Sequence, residues 1–289
     1  MGCIMIQGTS SSAGKSIIVT ALCRILADEG YKVAPFKAQN MSSRLYTIDH
    51  ANSNNSVIAL AQALQAFAAR VKPSVYMNPI LLKPLGNYMS KVIVLGKEYK
   101  VMHAKEYYER FALNKGLSIA IDAFKELLRN NDVVVIEGAG SPAEINIAKY
   151  DIANMRLAER INAPVLIVSD IERGGCFASM LGTLHLLKRH ERELVKGFII
   201  NKFRGDMSIL DTAISKFKRI AKKDVIGVIP YIDDLKIPEE DSLGSNSNEQ
   251  CNNIDISMLN DMLNKLSDII KRSIDMDIIK ELIVASNAK

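Results

Sequence analysis

The sequence predicts an α/β fold, a mostly parallel sheet flanked by helices, and three observations predict it. Short apolar runs alternate with stretches of helical spacing over residues 1–244. The run from Asp132 to Ile136 is continuous and β-branched, as a strand buried on both faces requires. A glycine-containing loop, Gly8-Thr9-Ser10-Ser11-Ser12-Ala13-Gly14-Lys15-Ser16, joins an apolar strand to a periodic helix.

The elements follow in order. Cys3 to Gln7 is a short apolar strand. Ser16 to Glu29 carries helical periodicity (Ile17, Thr20, Ala21, Arg24, Ile25) and stops at Gly30, a good C-terminal cap. Lys32 to Phe36 is a strand, Val57 to Ala69 a helix and Val92 to Leu95 a strand. Ala104 to Asn130 holds one or two helices, with a break expected near Asn114 to Gly116. After the strand at Asp132 come a helix (Ala153 to Ile161), a strand (Pro164 to Ser169) and a helix (Ala178 to Arg189). Lys196 to Asn201, Ile209 to Ala221 and Asp224 to Val228 complete the alternation as strand, helix, strand. Ligands of such sheets bind at the carboxyl ends of the strands, where Gln7-Gly8, Lys37, Glu137, Asp170 and Asn201 fall.

Composition shifts at Gly244. Residues 1–244 read as one nucleotide-binding domain, and 245–289 as a polar, Asn-rich linker followed by a helical appendage. Met258, Met262, Leu266, Ile269, Ile270, Ile278 and Leu282 give that appendage an apolar face. Such a face packs on the domain or serves a homodimer or another partner.

The 289 residues are 48% hydrophobic and 24% charged, enough for a sizeable core and too apolar for disorder. Aromatics are only 6% and Trp is absent, so stacking platforms for bases are not expected. The net charge of +5 suits an anionic small ligand. The densest basic run, Lys216 to Lys223, reads as a solvated helix face, and no nucleic-acid partner is expected. The four cysteines are dispersed, with no C-x-x-C pair, so neither a zinc site nor a disulfide framework is implied. No apolar run is long enough to span a membrane, and the first six residues lead directly into the glycine loop as a strand. A cytoplasmic location is expected.

Backbone N–H groups in a glycine loop between strand and helix wrap phosphate oxygens, and the helix N-terminus adds its positive end. Lys15 would neutralise β- and γ-phosphate charge, and the Ser16 hydroxyl would join a Mg²⁺ shell. Five residues separate Gly8 from Gly14, one more than the common spacing. The expected nucleotide-binding set is Gly8, Thr9, Ser12, Ala13, Gly14, Lys15, Ser16 and Ile17, with Asn201 and Lys202 from a later strand end. Asn201 offers donor and acceptor to an adenine edge, or caps a turn. Glu137 ends a strand beside the loop and either supports Mg²⁺ or is a surface carboxylate.

The motifs GTSSSAGKS, PFKAQNM (35–41), AQALQA (61–66), MNPILLKP (77–84), VVVIEGAGSPAEIN (133–146), DIANMRLAE (151–159) and INKFRGD (200–206) stand in order along the chain. Together they resemble the cobyric acid synthase family, within the dethiobiotin synthetase-like P-loop superfamily. The resemblance implies an ATP- and Mg²⁺-dependent ligase. It phosphorylates side-chain carboxylates of a corrinoid and lets ammonia displace the phosphate, in cobalamin biosynthesis. It also implies Asp151 near the reacting carboxylate, or as a helix cap, with Asp170 in the same crevice. Lys15 and Lys37 would clamp the anions, so the expected catalytic set is Lys15, Lys37, Asp151 and Asp170. Partitioning ATPases of the superfamily carry an extra lysine where Ser10 stands here.

Two departures accompany the resemblance. The family continues into a glutamine amidotransferase domain, whereas this sequence runs into the helical tail, and Cys251 has no nucleophile elbow. Ammonia is therefore expected free or from a separate glutaminase subunit. The family's acidic residue before the AQ helix is replaced by Asn54 to Leu60, and Asp49 is the expected substitute metal-site carboxylate. The alternatives are a dethiobiotin synthetase-like ligase on another carboxylate or carbamate, or a nucleotide-dependent regulatory subunit.

Overall fold

The computed structural model describes residues 1–48, 55–233 and 256–286. Strand β1 (Gly2–Gly8) leads into helix α1 (Lys15–Asp28), and β2 (Val33–Phe36) follows. Next come β3 (Gln39–Met41), β4 (Leu45–Ile48), β5 (Ser56–Ala59) and α2 (Leu60–Ala68). A meander of β6 (Ile80–Gly86), β7 (Met89–Val94) and β8 (Lys97–His103) precedes a long helical segment. That segment is α3 (Ala104–Glu106), a π-helical stretch Tyr107–Gly116 and α4 (Leu117–Asn130). Then come β9 (Val133–Glu137), α5 (Met155–Ile161), β10 (Val165–Asp170), α6 (Cys176–Leu186) and α7 (Arg189–Leu194). Strand β11 (Val195–Phe203), α8 (Met207–Ala221), β12 (Asp224–Pro230), α9 (Ile256–Ser273) and α10 (Met276–Ser286) complete the chain.

The main sheet has six strands in the order β12-β11-β10-β1-β9-β2, every pair parallel. The fold class is therefore the one the alternation predicts. Strands β1, β9 and β10 are buried along their whole length, which is why their sequences are near-continuous apolar runs. Alternate residues of β1 serve opposite faces. Ile4 and Ile6 pack with α1 residues Ile18 and Leu22, whereas Cys3 and Met5 pack with Phe124 of α4 and Met155 of α5.

The second sheet, β3-β6-β7-β8, and the small β4-β5 ladder go beyond the single strand expected at Val92 to Leu95. β8 is exposed at every position except Met102, so its polar sequence carries no burial signal. The helix expected from Val57 begins only at Leu60. Val57 and Ile58 are β-branched, pair with Thr47 and Tyr46, and so extend the β4-β5 ladder. The break expected near Asn114 to Gly116 is absent. Gly116 is helical, and an added Cβ there would lie 3.0 Å from Ile152 and 3.2 Å from Ile80. Its small size serves close packing, and the wide π turns turn Tyr107 and Phe111 into the same apolar cluster.

Leu259, Leu263, Leu266 and Ile270 of α9 and Ile279 and Ile283 of α10 share one apolar cluster with Ile4, Ile18 and Leu22. Gly2 permits this, since a Cβ there would lie 2.2 Å from the Ile283 carbonyl oxygen. The Cys3 amide donates to Ser286 Oγ at 2.8 Å. The linker expected over 245–253 lies outside the described residues. Lys216, Lys218 and Arg219 stand on the exposed face of α8 opposite buried Phe217. No described helix is long and apolar enough to cross a membrane.

Candidate active site

Because the strands are parallel, β1, β2, β9, β10 and β11 all end at one edge of the sheet. Register aligns their ends: Ile6 lies opposite Glu137, Gly8 opposite Val168, and Asp170 opposite Asn201. The loop after β1 crosses this edge. Thr9 fastens its start to β10, its amide donating to the Val168 carbonyl (2.8 Å) and its hydroxyl meeting Ser169 Oγ (3.1 Å). Two left-handed residues, Ser12 (φ 56°) and Gly14 (φ 102°), turn the chain into α1 around buried Ala13. The first bond of α1 runs from Ile18 N to the Gly14 carbonyl, so Ser16 and Ile17 have no intrahelical acceptor for their N–H groups. Ile17's side chain packs into the α1-side core.

From the β11 side, Asn201 and Lys202 brace the loop. The buried Asn201 amide donates to the Ala13 carbonyl (2.9 Å). Lys202, itself left-handed, donates from Nζ to the Ser12 carbonyl (3.1 Å) and pairs with Asp170 (3.0 Å). Asp170 also faces Arg173 Nε at 3.6 Å and accepts from the Glu172 amide. Asp170 therefore borders the Ser12 flank of the loop.

On the β9 side, Lys15, Ser16, Lys37 and Glu137 come together. Lys15 is buried, and its ammonium donates to the carbonyls of Ser10 (2.9 Å) and Gly140 (3.1 Å). Glu137 is fully buried, which rules out the surface-carboxylate reading. Its Oε1 accepts from Ser16 Oγ (2.8 Å) and Lys37 Nζ (2.9 Å), and its Oε2 accepts from Gln65 Nε2 (2.5 Å). Burial opposes ionisation here, but the Lys37 charge and three donated hydrogen bonds outweigh it and hold the carboxyl below its usual range. Behind it, Gln62 Nε2 donates to Gln65 Oε1 (3.5 Å) and Asn40 Nδ2 to Gln62 Oε1 (2.6 Å). Sequence reasoning missed these three amides. The available signal was two glutamines spaced i, i+3 on an otherwise apolar helix.

Asp151 stands on the other flank. Its Oδ1 accepts from the backbone amides of Ala153 and Asn154, both at 2.9 Å, so it acts as a turn cap ahead of α5. Burial pushes its carboxyl up, against those backbone donors. Asn154 ties this turn to the Glu137 strand end: it accepts from the Ala139 amide (3.0 Å) and donates to the Ala139 carbonyl (2.7 Å). Asp151 lines a cleft with Gln39, Tyr108, Ser141, Glu144 and Tyr150. Asp49, expected as a metal-site carboxylate, lies outside the described residues.

A parallel sheet, a glycine loop at its carboxyl edge, and a lysine and serine opening the next helix define a P-loop nucleotide-binding domain. Sequence comparison narrows the class. The chain belongs to the CobQ/CobB/MinD/ParA nucleotide binding domain family, whose sequence model matches residues 4–243. It is 51% identical to the cobyric acid synthase of Caldanaerobacter subterraneus over 259 residues, 89% of this chain and 50% of that protein. It is likewise 51% identical to a probable cobyric acid synthase of Thermococcus kodakarensis over 247 residues, 83% of this chain and 48% of that one. The chain thus spans about half the length of the curated relatives it matches. Among solved structures, the cell division protein MinD of Aquifex aeolicus aligns over 93% of both chains, at 15% identity and a TM-score of 0.46.

Proposed function

We propose that this chain carries out the ATP-dependent amidation of corrinoid side-chain carboxylates, the synthetase half of a cobyric acid synthase. The observation that carries the reading is half-identity to proteins of that name across the segment that builds this site.

A carboxylate is a poor electrophile until its oxygen attacks the γ-phosphorus and ADP departs, leaving an acyl phosphate. Ammonia then attacks the acyl carbon, and inorganic phosphate leaves with the bonding electron pair. Both steps crowd anions together, so positive charge must be placed in advance. Lys15 would move from the Ser10 and Gly140 carbonyls to the β- and γ-phosphates. Lys37, anchored on Glu137, would face the transferring phosphoryl group. The N–H groups of Ser16 and Ile17 would point at phosphate from the start of α1. Asn201, placed behind the loop, would meet the base, and Asp151 would orient the acceptor in its cleft. Asp170 would keep Lys202 on the loop.

Mg²⁺ fits the residues present. The Ser16 hydroxyl and Glu137 carboxylate converge within 2.8 Å and offer only oxygen, which is the hard, sparse donor set this ion takes alongside phosphates. When bound, it would neutralise charge on the β- and γ-phosphates. Ammonia is taken as free or delivered by a glutaminase.

The test is ADP release by the purified chain with ATP, Mg²⁺, ammonium and cobyrinic acid a,c-diamide. Release that depends on the corrinoid, with amide product, is expected. Nucleotide binding without it, or release on diaminopelargonic acid and bicarbonate instead, would overturn the assignment.

A further inference from the structure

The chain Asn40–Gln62–Gln65–Glu137 is buried at every member, each residue 1% exposed or less. Its polarity is fixed at one end. Glu137 is paired with Lys37 and so can only accept. Gln65 must then present its NH₂ to Oε2, which leaves its oxygen facing Gln62. Gln62 must in turn present its NH₂, which leaves its oxygen facing Asn40. Asn40 must donate as well, and its own Oδ1 is left buried with no hydrogen-bond partner. Turning any one amide over would set oxygen against oxygen, and the conflict would pass along the chain to the carboxylate. An unpartnered buried acceptor costs about 1–3 kcal/mol, so this arrangement carries a local energetic cost.

We infer that Gln65, backed by Gln62 and Asn40, is a positioning residue for the metal-site carboxylate. The directional amide chain holds Oε2 of Glu137 so that Oε1 stays turned to Ser16 and Lys37. The inference rests on the nucleotide and Mg²⁺ part of the proposed function and is independent of the acceptor. Outer partners of ligating carboxylates set metal affinity by fixing the ligand's orientation. None of the three amides needs to touch nucleotide or metal to do so.

The test is binding of a fluorescent ATP analogue to the full chain, titrated with Mg²⁺, with thermal melting of each variant alongside. Gln65→Leu is expected to raise the Mg²⁺ concentration for half-effect by about 10-fold, with metal-free nucleotide affinity unchanged. Asn40→Leu and Asn40→Asp separate polarity from packing. Both remove the donor, but only the aspartate forces an oxygen onto Gln62 Oε1. Asn40→Asp should therefore approach the Gln65→Leu shift. Asn40→Leu, which removes the donor without setting an oxygen against Gln62 Oε1, should shift the Mg²⁺ requirement less. Equal Mg²⁺ shifts for the two Asn40 variants would overturn the proposal. So would a Gln65→Leu protein that loses metal-free affinity and melting temperature together. Wild-type binding that ignores Mg²⁺ would instead remove the metal reading itself, and failure of corrinoid amidation would leave the proposal standing.

Discussion

Gly14 and Asn201 exclude one another's growth: a Cβ on Gly14 would lie 1.9 Å from Asn201 Nδ2, the same nitrogen that donates to the Ala13 carbonyl. The loop's second glycine thus answers both to its left-handed backbone and to a side chain 187 positions further on. Gly14→Ala should destabilise the fold by about 1–3 kcal/mol through backbone strain alone, and more through the clash. Adding Asn201→Ala should recover the clash component only. Urea unfolding of the single and double variants checks this, and full recovery would show that the backbone conformation is not strained.

The Lys37–Glu137 pair should behave as a coupled buried pair. Lys37→Met or Glu137→Gln alone leaves one charge buried without its partner and should cost about 3–5 kcal/mol. The double variant should be less destabilised than the sum. The pH sign follows from the depressed Glu137 carboxyl: folding favours its ionised form. Its contribution is complete above the ordinary value near 4.5 and is lost as pH falls through the lower folded value. Unfolding midpoints between pH 3 and 8 should fall less steeply with acid for the double variant than for wild type.

Asp151 should give the opposite sign. Its carboxyl is raised, so the folded state holds the proton more tightly, and wild-type stability falls as pH climbs from the ordinary value near 3.8 through the raised one. Asp151→Asn keeps an acceptor for the Ala153 and Asn154 amides and should lack this fall. Asp151→Ala loses the cap and should cost about 1 kcal/mol where the wild-type carboxyl is protonated, and less as pH rises through the raised value. If Asp151 orients the acceptor, the Asn variant folds well yet loses corrinoid-dependent ADP release. Retained release would reduce Asp151 to its cap.

The main sheet was legible because β1, β9 and β10 are buried on both faces and so spell apolar runs. β8 was not, because exposed strands such as Lys97 to Val101 write the same polar composition as a loop. The phosphate loop, Lys37 and Glu137 could be placed from strand ends alone. Gln65 could not, since its partner lies 72 residues away and a buried amide looks like any helix glutamine until the carboxylate faces it. Asn201 was placed at its strand end, but its bond to the loop depends on β11 lying two strands from β1.

The packing of the helical tail should show as a global property. Ile270 is fully buried against the α1 side of the sheet, and Ile270→Ala should cost about 2–5 kcal/mol. A tail docked only loosely would instead melt separately, and calorimetry would resolve a second transition.

The contact of Cys3 with Ser286 also constrains synthesis. The two residues lie 283 positions apart, so one face of the strand that carries the nucleotide loop is covered by residues made long after it. The emerging chain must keep Ile4 and Ile6 from aggregating until α9 and α10 arrive, so a strand made early in the domain is sealed late.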